Sequence, residues 1–448
     1  MLGVKTAALP ASLRRTNQRT VISFLLRLGS ASRADLAKAA GISQPTAGKI
    51  IAELLHLGIL QEAGSAADQE GNGSTGSPRL GRPGQLLRLD HRRSRFIAVE
   101  LGVAETSISA LPVAIKLEDE WTWSFPTPKS PEAWLKKLKG LAIAVPDNQL
   151  WGVLVSVPGI VDEGAGNVLF SPNLHWLEKT NLPHLLHETW DLPVLLVQEI
   201  RALALGHLTA EPGGEDFLLV DFGEGVGGAI VQDGKLYSHP MPLSGEFGHT
   251  PVVGNARRCG CGAVGCLETL VSERGLLESF AATPASTAHA RRALEASRAA
   301  PVRNERENPA SVKNWTALSA ADAGPGESAR ARLVAWGDLV ESVKERGIEP
   351  WLSETLDATA RIIAGALNVL GLHRVIVTGR LCELAGCIDY LAAGINKGAM
   401  WGRFGHVTCQ AAPHRRSAGL VAAGIDRLIL PAGDGTNPIP DGFFKLNE

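Results

Sequence analysis

The chain has 448 residues, 45% of them hydrophobic and 20% charged, with a formal net charge of −2. That length leaves room for two or three domains and a sizeable core, and the balance excludes a disordered or fibrous chain. No apolar run is long enough to cross a bilayer, and the mildly apolar opening leads into Arg14-Arg15, the reverse of a secretory signal's charge order, so a cytoplasmic protein with no membrane partner is expected.

The near-neutral total hides a polarity. Residues 1–95 hold fourteen Lys/Arg against six Asp/Glu, about +8, which leaves about −10 for the remainder. A basic module on an acidic body points to a local polyanion contact, with a solvated charged helix face as the alternative. Within that module, Val21, Ile22, Leu25, Leu26 and Leu28 fall at helical spacing over Asn17–Leu28, and Gly29 stops the run. Ser32 opens Ser-Arg-Ala-Asp, an N-cap with an acid three residues on, ahead of a short helix over Arg33–Ala40. Gly41 supplies a turn, and Ser43 caps a third helix with Pro45 in its first turn, running to about Leu57 before Gly58-Ile59-Leu60 enters a strand.

Helix, short helix, glycine turn, helix and strand make a winged helix-turn-helix, whose third helix enters the major groove N-terminus first. Ser43, Gln44, Thr46 and Lys49 are the DNA-facing candidates, Gln suiting adenine and Lys suiting guanine or phosphate. A three-helix packing module that binds protein is the alternative. Between Gly71 and Leu89 there is no acidic residue, and Arg82 in Gly81-Arg82-Pro83-Gly84 suits a minor-groove hook or a plain turn closing the wing.

From Arg95 onward, β-type runs alternate with helical stretches: Phe96–Leu101, Trp151–Val157, Val194–Val197, Phe217–Asp221 and Arg374–Thr378. That alternation predicts an α/β body. No internal repeat of fixed period stands out, and residues 281–330, rich in Ala, Ser, Arg and Pro, read as a helical excursion with a mobile loop and no assignable function.

The strongest chemical pattern is Gly245-Glu246-Phe247-Gly248-His249 followed by Cys259, Cys261 and Cys266, a His-x9-Cys-x-Cys-x4-Cys set. Three cysteines so crowded in a cytoplasmic chain read as metal ligands, not as a disulfide frame. With His249 they make four soft or borderline donors with no open position, which suits a structural, tetrahedral Zn2+. Gly260, Gly262 and Gly265 permit the tight turns that convergence needs. Cys382, Cys387 and Cys409 read as core thiols.

Glu246–Glu268 resembles the signature of the ROK family, which groups repressors, unassigned reading frames and sugar kinases, and the likeness extends over most of Arg95–Leu428. Val157–Asp162, Ser171-Pro172-Asn173-Leu174 with Trp176, and the glycine-rich Phe222–Ile230 support it. The winged helix in front resembles the repressor branch. The resemblance implies a two-lobed, actin-like and ribonuclease-H-like body with a sugar in the cleft, and domains at 1–90 (DNA-binding), 91–200 (first lobe) and 201–448 (second lobe with the zinc motif). It implies Asn173, Gln198, Glu199, Glu246, His249 and Glu268 as sugar ligands, with His249 touching both zinc and sugar.

The kinases of this family need glycine-rich loops for ATP phosphates and a carboxylate base. Here the first loop reads Glu100-Leu101-Gly102-Val103-Ala104, the second places Glu224 where the family has Thr, and the base pair Asn-Asp becomes Gln198-Glu199. A displacement of about a bond length can cost roughly 100-fold in rate, so Glu199 is expected to be a vestigial base. The adenosine-side Gly-Gly is reduced to Thr378-Gly379. The expectation is a sugar-responsive regulator, a repressor of carbohydrate genes. It would bind an operator in double-stranded DNA as a homodimer or dimer of dimers. An ATP-dependent hexose kinase bearing a DNA-binding domain is the alternative.

Overall fold

The computed structural model describes residues 10–65, 85–113, 121–140, 150–211, 215–237, 244–284, 286 and 336–430. Arg82, residues 71–84 of the acid-free stretch and most of 281–330 lie outside the described residues. Among those described, no helix is long and apolar enough to cross a membrane.

The chain opens with α1 (Pro10–Leu28), β1 (Ser30–Ser32), α2 (Arg33–Ala39), α3 (Gln44–His56), β2 (Leu60–Ser65) and β3 (Gln85–Leu89). The helix starts follow from their caps. Ser32 accepts from the Asp35 backbone N–H while the Asp35 carboxylate accepts from that of Ser32, and Ser43 accepts from the Thr46 N–H. Gly41, at φ +64°, takes the left-handed conformation that reverses the chain between α2 and α3. The three strands pair antiparallel in the order β1-β3-β2. Val21, Leu25, Leu36, Ile51, Leu54 and Leu87 fill the space beneath them. Helix α1 begins at Pro10, well before the Asn17 that hydrophobic periodicity gives, because its first turns are held by charge: Arg15 and Arg19 pair with Asp426.

Two five-stranded sheets follow. In the first, β4 (Ser94–Leu101), β5 (Glu105–Pro112) and β6 (Trp123–Pro126) run antiparallel, while β7 (Gly152–Val157) and β10 (Val194–Gln198) add in parallel beside β4. A separate hairpin, β8 (Ile160–Asp162) with β9 (Asn167–Phe170), leaves the end of β7. Helices α4 (Pro131–Lys139), α5 (Leu182–Trp190) and α6 (Glu199–Ala210) make the connections.

The second sheet repeats the plan. Strands β11 (Phe217–Phe222), β12 (Val226–Gln232) and β13 (Lys235–Leu236) are antiparallel, and β14 (Arg374–Gly379) and β15 (Thr408–Ala411) join in parallel beside β11. Its helices include α7 (Glu268–Val271), α8 (Glu273–Ala281), α9 (Trp336–Arg346), α10 (Pro350–Leu370) and α11 (Cys387–Gly398). The strand orders β10-β7-β4-β5-β6 and β13-β12-β11-β14-β15 describe one topology twice.

The chain forms two compact units, Met1–Gly214 with His414–Glu448, and Glu215–Pro413. The helical head therefore shares a unit with the first sheet, and the chain returns to that unit through α12 (Arg416–Gly424) and the π-turn Ile425–Ile429. The reason is a common core: Val21, Leu25 and Leu54 of the head belong to the same buried cluster as Phe96, Leu154, Leu420, Ile425 and Leu430. Helices α6 and α12 meet backbone to backbone. A Cβ on Gly419 would lie 1.8 Å from the Ala202 carbonyl oxygen, and one on Gly206 1.9 Å from that of Arg415.

Candidate functional site

In the second unit, one ligand atom each from His249, Cys259, Cys261 and Cys266 lie within 4.8 Å of one another. Cys259 Sγ is 3.6 Å from His249 Nδ1, and Cys261 Sγ is 3.7 Å from Cys266 Sγ. Zinc–sulfur bonds of about 2.3 Å at tetrahedral angles separate two sulfurs by about 3.8 Å, so these spacings fit a four-coordinate ion. A small knuckle brings the donors together: Arg258 bridges Val264 and Pro251 bridges Cys266, with Gly262 and Gly265 at positive φ. Arg257 fastens the knuckle from below, its guanidinium donating to the Thr269 and Gly275 carbonyls and to Ser279 Oγ.

Burial raises the Cys259 and Cys266 thiols above their ordinary range, while at Cys261 the same burial is outweighed by the Ala263 backbone N–H and the neighbouring thiols, which lower it. A divalent cation at this point would supply the positive charge that lets three such thiolates coexist. The other cysteines differ. Burial pushes Cys382, Cys387 and Cys409 each to about 12.

The two glutamates of the motif flank this centre. Glu246 Oε2 is 3.6 Å from His249 Nε2, the ring nitrogen turned away from the thiols. Burial raises the Glu246 carboxyl; His249 opposes that and the negative Glu268 adds to it. Glu268 begins α7, with Oε1 3.8 Å from Cys259 Sγ and Oε2 accepting from the Val226 N–H at 3.1 Å. It therefore sits against the second glycine loop, Gly223–Gly225, where a Cβ on Gly225 would meet its Oε2 at 2.9 Å. Glycines in the motif serve close approach: a Cβ on Gly245 would fall 1.7 Å from the Gly228 oxygen, and one on Gly248 2.3 Å from that of Val226.

In the first unit, Gln198 ends β10 and Glu199 begins α6. Arg416, at the start of α12, donates from Nη2 to Glu199 Oε1 at 2.6 Å and from Nη1 to Glu100 Oε1. The expected base carboxylate and the first residue of the expected phosphate loop are thus held by one guanidinium whose side chain is 6% exposed. The loop itself is a tight hairpin in which the Gly102 N–H donates to the Glu105 carbonyl and the Thr127 hydroxyl to the Gly102 carbonyl. Glu163 organises the same edge, accepting from the Gln198 N–H and pairing with Arg201 and Arg427. Asn173 is exposed in the turn before the 3-10 helix His175–Lys179.

In the head, Ser43, Gln44, Thr46 and Lys49 are all exposed at the N-terminal part of α3, while Ala47, Ile50, Ile51 and Leu54 are buried. The Ser43 hydroxyl is engaged with the Thr46 N–H and hydroxyl, so its first duty is as a cap. Sequence reasoning missed Arg257, Arg416 and Glu163. Only the Arg415-Arg416 pair ahead of a run of small residues marked any of them: the partners of Glu163 and Arg416 lie 35 or more residues away, and those of Arg257 are two backbone carbonyls and a serine hydroxyl.

A duplicated α/β topology with a Cys3His cluster in its second unit defines a mixed α/β fold with sugar-kinase-like sheets. The chain belongs to the ROK family, whose model matches residues 96–323, just over half of its length. It is similar to the xylose repressor of Caldicellulosiruptor bescii (28% identity over 59% of this chain and 66% of the repressor). It is also similar to the N-acetylglucosamine repressor of Escherichia coli O157:H7 (26% identity, 59% of this chain, 64% of the repressor). The match thus spans slightly less than two thirds of either repressor. Among solved structures, a ROK family transcriptional regulator described as a homolog of the Escherichia coli MLC protein shares the fold, with TM-score 0.61 and 17% identity over 93% of this chain and 97% of that one.

Proposed function

We propose that the protein is a sugar-responsive DNA-binding transcriptional regulator, a repressor of genes for carbohydrate uptake or catabolism. The observation that carries this reading is a ROK body fronted by a module whose third helix exposes Ser43, Gln44, Thr46 and Lys49 over a buried apolar face. We read that module as a winged helix-turn-helix, with Gln44 and Lys49 reaching base edges or phosphates and Arg82 serving the minor groove. The partner is an operator in double-stranded DNA, bound by a homodimer or dimer of dimers.

Asn173, Gln198, Glu199, Glu246, His249 and Glu268 are the sugar ligands of this reading. Carboxylates and an imidazole accept from and donate to vicinal hydroxyls in fixed directions. His249 Nδ1 with Cys259, Cys261 and Cys266 would hold a structural Zn2+, which supplies a covalent-strength crosslink to the knuckle and no reacting group. Glu246 beside Nε2 fixes the ring's orientation. The groups that would serve ATP are engaged otherwise: Glu199 and Glu100 by Arg416, the Gly102 N–H by Glu105, the Val226 N–H by Glu268. An anion at Glu224, in the second loop itself, repels a polyphosphate.

A mobility-shift assay on the DNA upstream of the protein's own gene, with D-xylose, N-acetylglucosamine and glucose as additives, tests the reading. Specific retardation that one of these sugars weakens is expected. Failure to bind that fragment, together with phosphorylation of a hexose from ATP, would overturn it in favour of a kinase.

A further inference from the structure

The contacts of α12 carry an inference that rests on the reading of Glu199 as ligand-facing and adds to it the route by which that residue is felt at the head. We propose that Arg416 is a positioning residue that couples the Glu199 carboxylate to helix α1, through α12 and Asp426.

At one end, Arg416 holds Glu199 and Glu100. At the other, Asp426 accepts from Arg15 and Arg19 of α1 through its carboxylate, and from Arg15 through its backbone carbonyl. Asp426 lies ten helical steps beyond Arg416, about 15 Å of rise. The rod between them is stiffly seated. Gly419 lies against the Ala202 backbone, and Ala418, Leu420, Val421, Ala423 and Ile425 are buried. It ends in a single π-turn, Ile425–Ile429, which sets the direction in which Asp426 faces α1.

A buried guanidinium that loses one of two carboxylate partners is costly to leave as it was, so the helix carrying it must shift or repack. A hydroxyl-bearing ligand that draws Glu199 toward itself weakens the Arg416 pair. Because α12 packs backbone to backbone on α6, the response is a displacement of the rod and not a local rotamer change. Asp426 moves with it, and the support it gives to the first turns of α1 changes.

Hydrogen–deuterium exchange on the full chain, with no DNA or sugar present, tests this. In Glu199→Gln and Arg416→Met, amides of Pro10–Leu28 are expected to exchange about tenfold faster, while peptides covering β7 and β10 keep the wild-type rate. Arg416→Lys should restore slow exchange in α1. Asp426→Asn alone should produce the fast rate, and adding Arg416→Met to it should change nothing more. An unchanged α1 in Glu199→Gln, additive effects of Arg416→Met and Asp426→Asn, or acceleration spread evenly through the sheet would each overturn the proposal. Should Arg416→Met not fold, Glu199→Gln with Glu199→Asp as its conservative control decides alone. A wild-type chain that retards no DNA in the assay above would sink the regulator reading and leave this coupling standing or falling on its own exchange data.

Discussion

Six cysteines sort into two chemistries by their surroundings. Cys259, Cys261 and Cys266 converge with His249 on a point, whereas Cys382, Cys387 and Cys409 are held near 12 by burial. A thiol with so high a pKa offers almost no thiolate at pH 8. Labelling of the native protein with a thiol reagent at that pH should therefore be negligible as purified and should rise to three cysteines per chain after chelation, because loss of the ion is expected to open the knuckle and relieve the burial that raises Cys259 and Cys266. Six after chelation would show that the knuckle is not a separate centre. Cys266→Ser should lower bound zinc from about one per chain to near none, read by elemental analysis. The centre was legible because its ligands lie within eighteen residues of one another and short spacing constrains geometry. Arg416 was not. Its partners Glu100 and Glu199 are remote in sequence, and only tertiary folding puts a cation between them.

Helices and turns explain themselves locally more often than packing does. Ser32, Gly41 and Ser43 act where their side chains and backbone freedom suggest, so the order of elements in the head follows from the sequence. The true start of α1 depends on Arg15 and Arg19 meeting Asp426, which no periodicity reveals. For α3, Lys49→Ala should weaken binding to the upstream fragment and reduce the slope of log affinity against log salt by about 1 if Lys49 contacts a phosphate. An unaltered slope and affinity would remove it from the interface. For the α6–α12 contact, Gly419→Ala forces a methyl into the Ala202 carbonyl, and a loss of about 2–3 kcal/mol is expected from the strain of overpacking. Thermal unfolding within a degree or two of wild type would show that the helices separate more easily than described.

At the scale of the molecule, the sequence offers an α/β alternation and no visible repeat, yet the two sheets carry one strand order. Topology is kept by hydrophobic alternation, which many sequences satisfy, so duplication of fold need not leave similarity of residues. The division into units was less legible, because the chain's return through Arg416–Leu430 to the first unit depends on a shared core with Val21, Leu25 and Phe96. A head built into that core is suited to feel a change in the body, and a head on a loose tether is not.

Coupling between sugar and DNA is a free energy that both ligands must report equally. Calorimetric titration of the sugar that loosens the upstream fragment, once with the free protein and once with the protein saturated by that duplex, measures it. The sugar should bind more weakly to the DNA complex by the same factor, about 5- to 150-fold, by which it weakens DNA binding. Equal sugar affinity in the two titrations would contradict a regulator that senses carbohydrate.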